Sequence, residues 1–132
     1  MLSTTTLVII DDDDDDRDFF CEVAKELTID VVPFKWASEA LEALEKEDTP
    51  LPEFIFLDLN MPAIGGKECL IALKKSPRLK PIKVVIYSTT KLPSVASHMF
   101  ELGAFSFVTK PTRLSVLKDI LSSVLKGQHT TR

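Results

Sequence analysis

Four short apolar runs punctuate the chain: Leu7 to Ile10 (LVII), Phe54 to Leu57 (FIFL), Val84 to Tyr87 (VVIY) and Phe105 to Val108 (FSFV), with a weaker fifth at Val31 to Phe34. In chain order their starts lie 24, 23, 30 and 21 residues apart, room for a strand, a crossover helix and two short loops. Runs that are continuously apolar, not alternating, suit a parallel sheet covered on both faces. The segments between them carry helical spacing. Val116, Leu117, Ile120, Leu121, Val124 and Leu125 repeat as one stripe, and Phe19, Phe20, Val23, Ala24 and Leu27 repeat the same way. Ala37, Ala40, Leu41 and Leu44 mark a third helix, Cys69, Leu70 and Leu73 a fourth, and Val95, Ala96, Met99 and Phe100 a fifth. Pro50, Pro52, Pro62, Pro77, Pro81, Pro93 and Pro111 all fall in predicted loops or helix starts. The pattern predicts a doubly wound α/β fold with a five-stranded parallel sheet and five helices.

The 132 residues, 45% hydrophobic and 27% charged, fit one domain. Its expected core runs from about residue 7 to 125, with 1–6 and 127–132 as tails. No apolar run approaches the roughly 20 residues of a spanning helix, and no signal peptide is legible at the N-terminus. The expectation is a cytoplasmic protein with no membrane association. Cys21 and Cys69 show no metal-ligand spacing and read as reduced, buried thiols. The net charge of −4 hides an asymmetry, since residues 1–66 sum to −13 and residues 67–132 to +9. The bases are dispersed as Lys74, Lys75, Arg78, Lys80, Lys83 and Lys91 without interleaved aromatics, so no nucleic-acid partner is expected.

Right-handed crossovers place the helices on both faces and gather functional loops at the carboxyl ends of the strands. The residues that follow the apolar runs are therefore the informative ones: Asp11 and Asp12, then Asp58, Ser88 and Lys110. Each has an ordinary reading: a solvated charge run with a helix N-cap near Asp14, a loop aspartate, a turn serine, a surface lysine. Their convergence on one rim is what carries weight. Three carboxylates there repel by roughly 4 kcal/mol per pair at about 4 Å and an effective dielectric near 20. Mg²⁺ is the natural compensating cofactor, because it takes one or two carboxylates and leaves a position for a phosphate oxygen. With Lys110 as a fixed charge and Ser88 as a hydroxyl donor, the set suits phosphoryl transfer, and Asp58, central in the sheet, is the expected nucleophile.

The motifs IIDDD (Ile9 to Asp13), FLDLNMP (Phe56 to Pro62) with Gly66, VVIYSTT (Val84 to Thr90) and GAFSFVTKP (Gly103 to Pro111) stand in order over residues 7 to 125. The chain resembles a receiver domain of bacterial two-component response regulators, of the stand-alone, CheY-like kind. That resemblance implies the strand order 2-1-3-4-5. It makes Asp58 the phosphoacceptor, with Asp11, Asp12, Asp58 and the backbone carbonyl of Asn60 around Mg²⁺. Ser88 corresponds to the switch hydroxyl and Lys110 to the phosphate-binding lysine. The Lys110–Pro111 bond is expected to be cis. Asn60 and Thr90 occupy the places where relatives tune the dephosphorylation rate.

By the same resemblance, Asp58 accepts the phosphoryl group of a sensor histidine kinase or a histidine phosphotransfer protein, and the protein catalyses only its own modification and reset. Phe107 takes the place of an aromatic switch residue, although it lacks the hydroxyl of the commoner tyrosine and has an ordinary reading as core. Gly65 stands where relatives often carry aspartate. A downstream protein is expected on the surface formed by the fourth helix, fifth strand and fifth helix, including Lys91, Arg113 and Lys118. His98 and His129 read as surface residues, and Trp36 as core or surface. Two other readings compete. A haloacid-dehalogenase-type phosphatase would want a second aspartate at the position of Asn60, and a receiver-like binding module would never be phosphorylated.

Overall fold

The computed structural model describes residues 6–60 and 65–126. Five strands alternate with five helices: β1 (Thr6–Ile10), α1 (Asp14–Glu26), β2 (Asp30–Phe34), α2 (Ala37–Glu45), β3 (Phe54–Leu57), α3 (Gly66–Lys75), β4 (Lys83–Ser88), α4 (Pro93–Glu101), β5 (Ser106–Thr109) and α5 (Leu114–Leu125). All strand pairs are parallel, in the order β2-β1-β3-β4-β5. The anticipated fold class and strand order are thus observed. Of the expected tails 1–6 and 127–132, Thr6 begins β1, while residues 1–5 and 127–132, Met61 and Pro62 of the second motif, and His129 lie outside the described residues.

Alternation along the strands divides the core in two. Leu7, Ile9, Phe54, Phe56, Val85 and Tyr87 pack against α1 and α5. Val8, Ile10, Ile55, Leu57, Val84 and Ile86 pack against α2, α3 and α4. The first layer is built around aromatics, with the Phe20 ring centroid 4.9 Å from that of Phe56 and 5.6 Å from that of Tyr87. The helical stripes do what their spacing requires, burying Phe20, Val23 and Ala24 of α1 and Leu117, Leu121 and Val124 of α5. The edge strand β2 departs from the continuous-burial expectation. Val32 and Pro33 are exposed, and an edge is where a residue without a backbone N–H costs least. Among the described residues no helix is long and apolar enough to cross a membrane.

Two local features set the rim. At α1, Asp13 is the N-cap and its Oδ1 accepts the backbone N–H of Asp16 at 2.9 Å. Asp14, Asp15 and Asp16 then occupy the first helical turn, where negative charge complements the helix dipole. The aspartate run is therefore divided by the fold into strand end, cap and first turn. At α3, Gly65 is the N-cap without a side chain to contribute, and Gly66 enters the helix pressed against the chain that follows β3. A Cβ on Gly66 would stand 2.4 Å from the carbonyl oxygen of Asp58 and 2.6 Å from Leu59 Cα, both backbone atoms.

Gly66→Ala should therefore displace the segment carrying Asp58 and destabilise the protein by about 1–3 kcal/mol, the usual cost of overpacking. Urea unfolding followed by circular dichroism measures this, and an unchanged midpoint would mean that the close approach is relieved without cost.

Candidate functional site

Backbone hydrogen bonds bring the candidate side chains to one edge. Asp11 donates its N–H to Phe34 O at 3.1 Å, Asp58 to Ile10 O at 2.9 Å, and Lys110 to Ser88 O at 2.8 Å. Each residue thus continues a strand ladder by one step and cannot drift from its neighbours. The Asp11 side chain is fully buried and those of Asp58 and Lys110 nearly so. Lys110 Nζ lies 2.8 Å from Asp11 Oδ2, 2.8 Å from Asp16 Oδ2 and 3.5 Å from Asp58 Oδ1. It also sits 5.5 Å from the centroid of the Tyr87 ring.

This packing leaves an electrostatic imbalance. Burial raises the Asp58 carboxyl from 3.8 to about 6, and the Asp11 charge adds to it, while Lys110 and the backbone N–H of Asn60 oppose the shift. Burial likewise raises Asp11 against the opposing pull of Lys110. Lys110 itself is pushed above its ordinary value, because its carboxylate partners outweigh the burial that would lower it.

Asp11, Asp12 and Asp58 can each offer a carboxylate oxygen within 4.8 Å of the others. Asp11 Oδ2 makes no aligned hydrogen bond even though Lys110 Nζ stands beside it. An all-oxygen donor set with one orphaned buried oxygen fits a hard divalent cation.

Comparison with known proteins identifies the family. Residues 7–122 match the response regulator receiver domain profile. The two-component response regulator ORR11 of rice (Oryza sativa subsp. indica) is 41% identical over 86 residues, covering 65% of this chain and 57% of the rice protein. Response regulator Rcp1 of Synechocystis is 33% identical over 109 residues, covering 78% of this chain and 72% of that protein. The chain belongs to the response regulator receiver domain family. The Mn²⁺-bound crystal structure of Rcp1 superposes on the receiver domain with a TM-score of 0.82 at 26% identity, covering 97% of this chain and 99% of that one. The phosphorylated cyanobacterial phytochrome response regulator RcpA gives a TM-score of 0.82 at 28% identity, covering 94% and 93%. The receiver domain spans little more than half the length of the rice protein.

The structure brings together Asp11, Asp12, Asp58 and Lys110 as the sequence suggested, and it places Ser88 buried at the end of β4. Ser88 Oγ accepts the N–H of Thr90 at 3.2 Å, and Thr90 Oγ1 that of Leu92 at 3.4 Å, linking the hydroxyl to the start of α4. Two expectations are corrected. Among the described residues there is no cis peptide bond, so Lys110–Pro111 is trans. Lys110 reaches the carboxylates with that bond trans, the isomer that X–Pro bonds ordinarily favour by roughly 0.5–1 kcal/mol. Lys118 turns toward α1, where its Nζ meets Glu26 Oε1 at 3.2 Å, so it does not join the surface around β5. His98 is exposed as anticipated, but Glu101 Oε2 lies 3.9 Å away, one helical turn on.

Phe107 is buried, at the base of an apolar groove with Leu92, Ala96 and Phe100. Trp36 is a half-exposed surface ring with Lys35 Nζ 5.4 Å from its centroid. Cys69 is buried and Cys21 half-buried, both as free thiols. Asp16 was not anticipated. Its distance from the strand end argued against it, and only the cap at Asp13, which starts α1 at Asp14, aims it back at Lys110. Arg17 was missed as well; its guanidinium donates to Asp11 O at 2.8 Å and holds the aspartate run in place.

A carboxyl whose pKa is raised on folding stabilises the fold only while neutral. Its contribution is complete below about 4 and is lost as pH rises through about 6. Without divalent cations, Asp58→Asn should therefore be more stable than the parent at pH 7.5, by up to about 3 kcal/mol, and equal to it near pH 4. Thermal melts across this range measure the difference, and a pH-independent difference would show that Asp58 carries no such shift.

Proposed function

We propose that this receiver domain is a phosphorylation-activated switch that takes a phosphoryl group on Asp58 from a histidine kinase or histidine phosphotransfer protein. The observation that supports it best is Lys110 Nζ lodged between Asp11 and Asp58 on one buried rim. An Asp58 carboxylate oxygen attacks the phosphorus of a phosphohistidine, the new O–P bond forms as the N–P bond breaks, and the imidazole leaves with the bonding pair and takes up a proton. Lys110 stands where its ammonium can hold an equatorial oxygen of the transferring group. Asp11, Asp12, Asp58 and the backbone carbonyl of Asn60 would hold Mg²⁺, which would neutralise negative charge on the same oxygens.

Attack of water on the aspartyl phosphate resets the site, releasing inorganic phosphate. Asn60 and Thr90 are the side chains proposed to tune that step. Each cycle returns Asp58 unchanged, and the chemistry serves signalling, not turnover of a free substrate. The phosphoryl group adds about −1.5 to −2 charges and three acceptor oxygens, and the Ser88 hydroxyl is the donor proposed to meet one of them. Drawing Ser88 inward pulls on Thr90 and Leu92 and so on the groove above Phe107. The downstream protein is proposed to read α4, β5 and α5 there, beside Lys91 and Arg113, which border the cleft next to Lys110.

Incubation with acetyl phosphate and Mg²⁺ should add one phosphoryl mass to the intact protein, labile to base and absent from Asp58→Ala. Chelation of Mg²⁺ or Lys110→Ala should slow its appearance on the order of 100-fold, about 2.7 kcal/mol of barrier. Steady release of phosphate from varied esters would instead indicate a phosphatase, and no adduct would indicate a binding module.

A further inference from the structure

The phosphoryl-acceptor reading accounts for Asp11, Asp12, Asp58 and Lys110 but leaves Asp16 without a task. An ammonium has three N–H donors. Lys110 Nζ donates to Asp16 Oδ2 at 2.8 Å, is ion-paired with Asp11 Oδ2 at 2.8 Å, and stands 3.5 Å from Asp58 Oδ1. Asp11 belongs to the strand end and is fully buried, so it alone can keep Lys110 on the rim. Asp16 reaches in from α1, is 41% exposed, and is not one of the three carboxylates that converge for a cation. Its position is set by the helix cap, where its own N–H binds Asp13 Oδ1.

We infer that Asp16 is a positioning residue that restrains Lys110 on the α1 side of the rim and weakens the site's hold on a phosphoryl anion. An anion arriving on Asp58 must draw the ammonium away from Asp16 or share it, and the Asp16 charge repels that anion as well. The restraint lowers the occupancy of the phosphorylated state and favours return of Lys110 to its resting contacts. The inference rests on the phosphoryl-acceptor reading of Asp58.

The test uses beryllofluoride, a phosphoryl mimic that binds an aspartate carboxylate, titrated in the presence of Mg²⁺. Mg²⁺ is titrated separately without the anion, both on the full chain by tryptophan fluorescence or amide NMR. Asp16→Asn should bind beryllofluoride on the order of tenfold tighter, about 1.4 kcal/mol, and bind Mg²⁺ no more tightly than the parent. General damage to the rim would weaken both, so tighter beryllofluoride binding without tighter Mg²⁺ binding separates a restraint from a structural role. Asp16→Ser should behave like Asp16→Asn, and Asp16→Glu, which keeps the charge, should stay near the parent. Asp15→Asn removes the same charge from an exposed neighbour in the same turn. It should change the beryllofluoride affinity by less than about twofold. Unchanged or weaker beryllofluoride binding in both neutral Asp16 variants overturns the inference, as does equal tightening in Asp15→Asn. Failure of the parent itself to bind beryllofluoride with Mg²⁺ overturns the phosphoryl-acceptor reading, and the restraint with it.

Discussion

One ammonium among buried carboxylates governs this rim. Lys110 is nearly enclosed, and its ammonium stands beside the carboxylates of Asp11, Asp16 and Asp58. In water such groups would separate and solvate, but here they cannot. The N–H groups of Asp11, Asp58 and Lys110 each close a hydrogen bond to a neighbouring strand, so the sheet's register fixes where the charges stand. One positive charge does not balance the surrounding negative ones. Burial first, and the neighbouring Asp11 charge second, raise Asp58 to about 6, a cost that a divalent cation would relieve.

The rest of the architecture serves that constraint. Burial of Phe20, Phe56 and Tyr87 against one another anchors α1 to β3 and β4, which keeps the capped start of α1 beside the strand ends. The absent Cβ of Gly66 lets α3 begin directly against the Asp58 backbone. Ser88 and Thr90 tie the rim to α4 through two short side-chain-to-backbone hydrogen bonds. In the proposed switch, these bonds are the route by which charge at Asp58 would reach the apolar groove beside Phe107.

The strands and helices were legible because continuous apolar runs and helical stripes report burial directly. Asp58, Asp11, Asp12 and Lys110 were legible because each is the first or second residue beyond such a run, so strand position alone puts them on one rim. What the sequence hid depended on angles and on tertiary partners. Whether Asp13 or Asp14 caps α1 decides where Asp16 points, and the six-aspartate run carries no internal signal of that choice. Lys118 looked like part of the α5 surface until Glu26 of α1 claimed it. The trans Lys110–Pro111 bond ran against the family resemblance, and spacing carries no information about isomer. Phe107 alternates with Phe105 in the manner of a core residue, and it is buried.

The central claim is that buried carboxylates are held together at a cost that a cation relieves. It is tested most directly by a carbon-13 NMR titration of the aspartate side-chain carboxyls, with Asp58 assigned by its loss in Asp58→Asn. In metal-free protein the Asp58 resonance should titrate at about 6, and millimolar Mg²⁺ should drive the midpoint well below that value. A midpoint near 4 in metal-free protein, unmoved by Mg²⁺, would contradict the account.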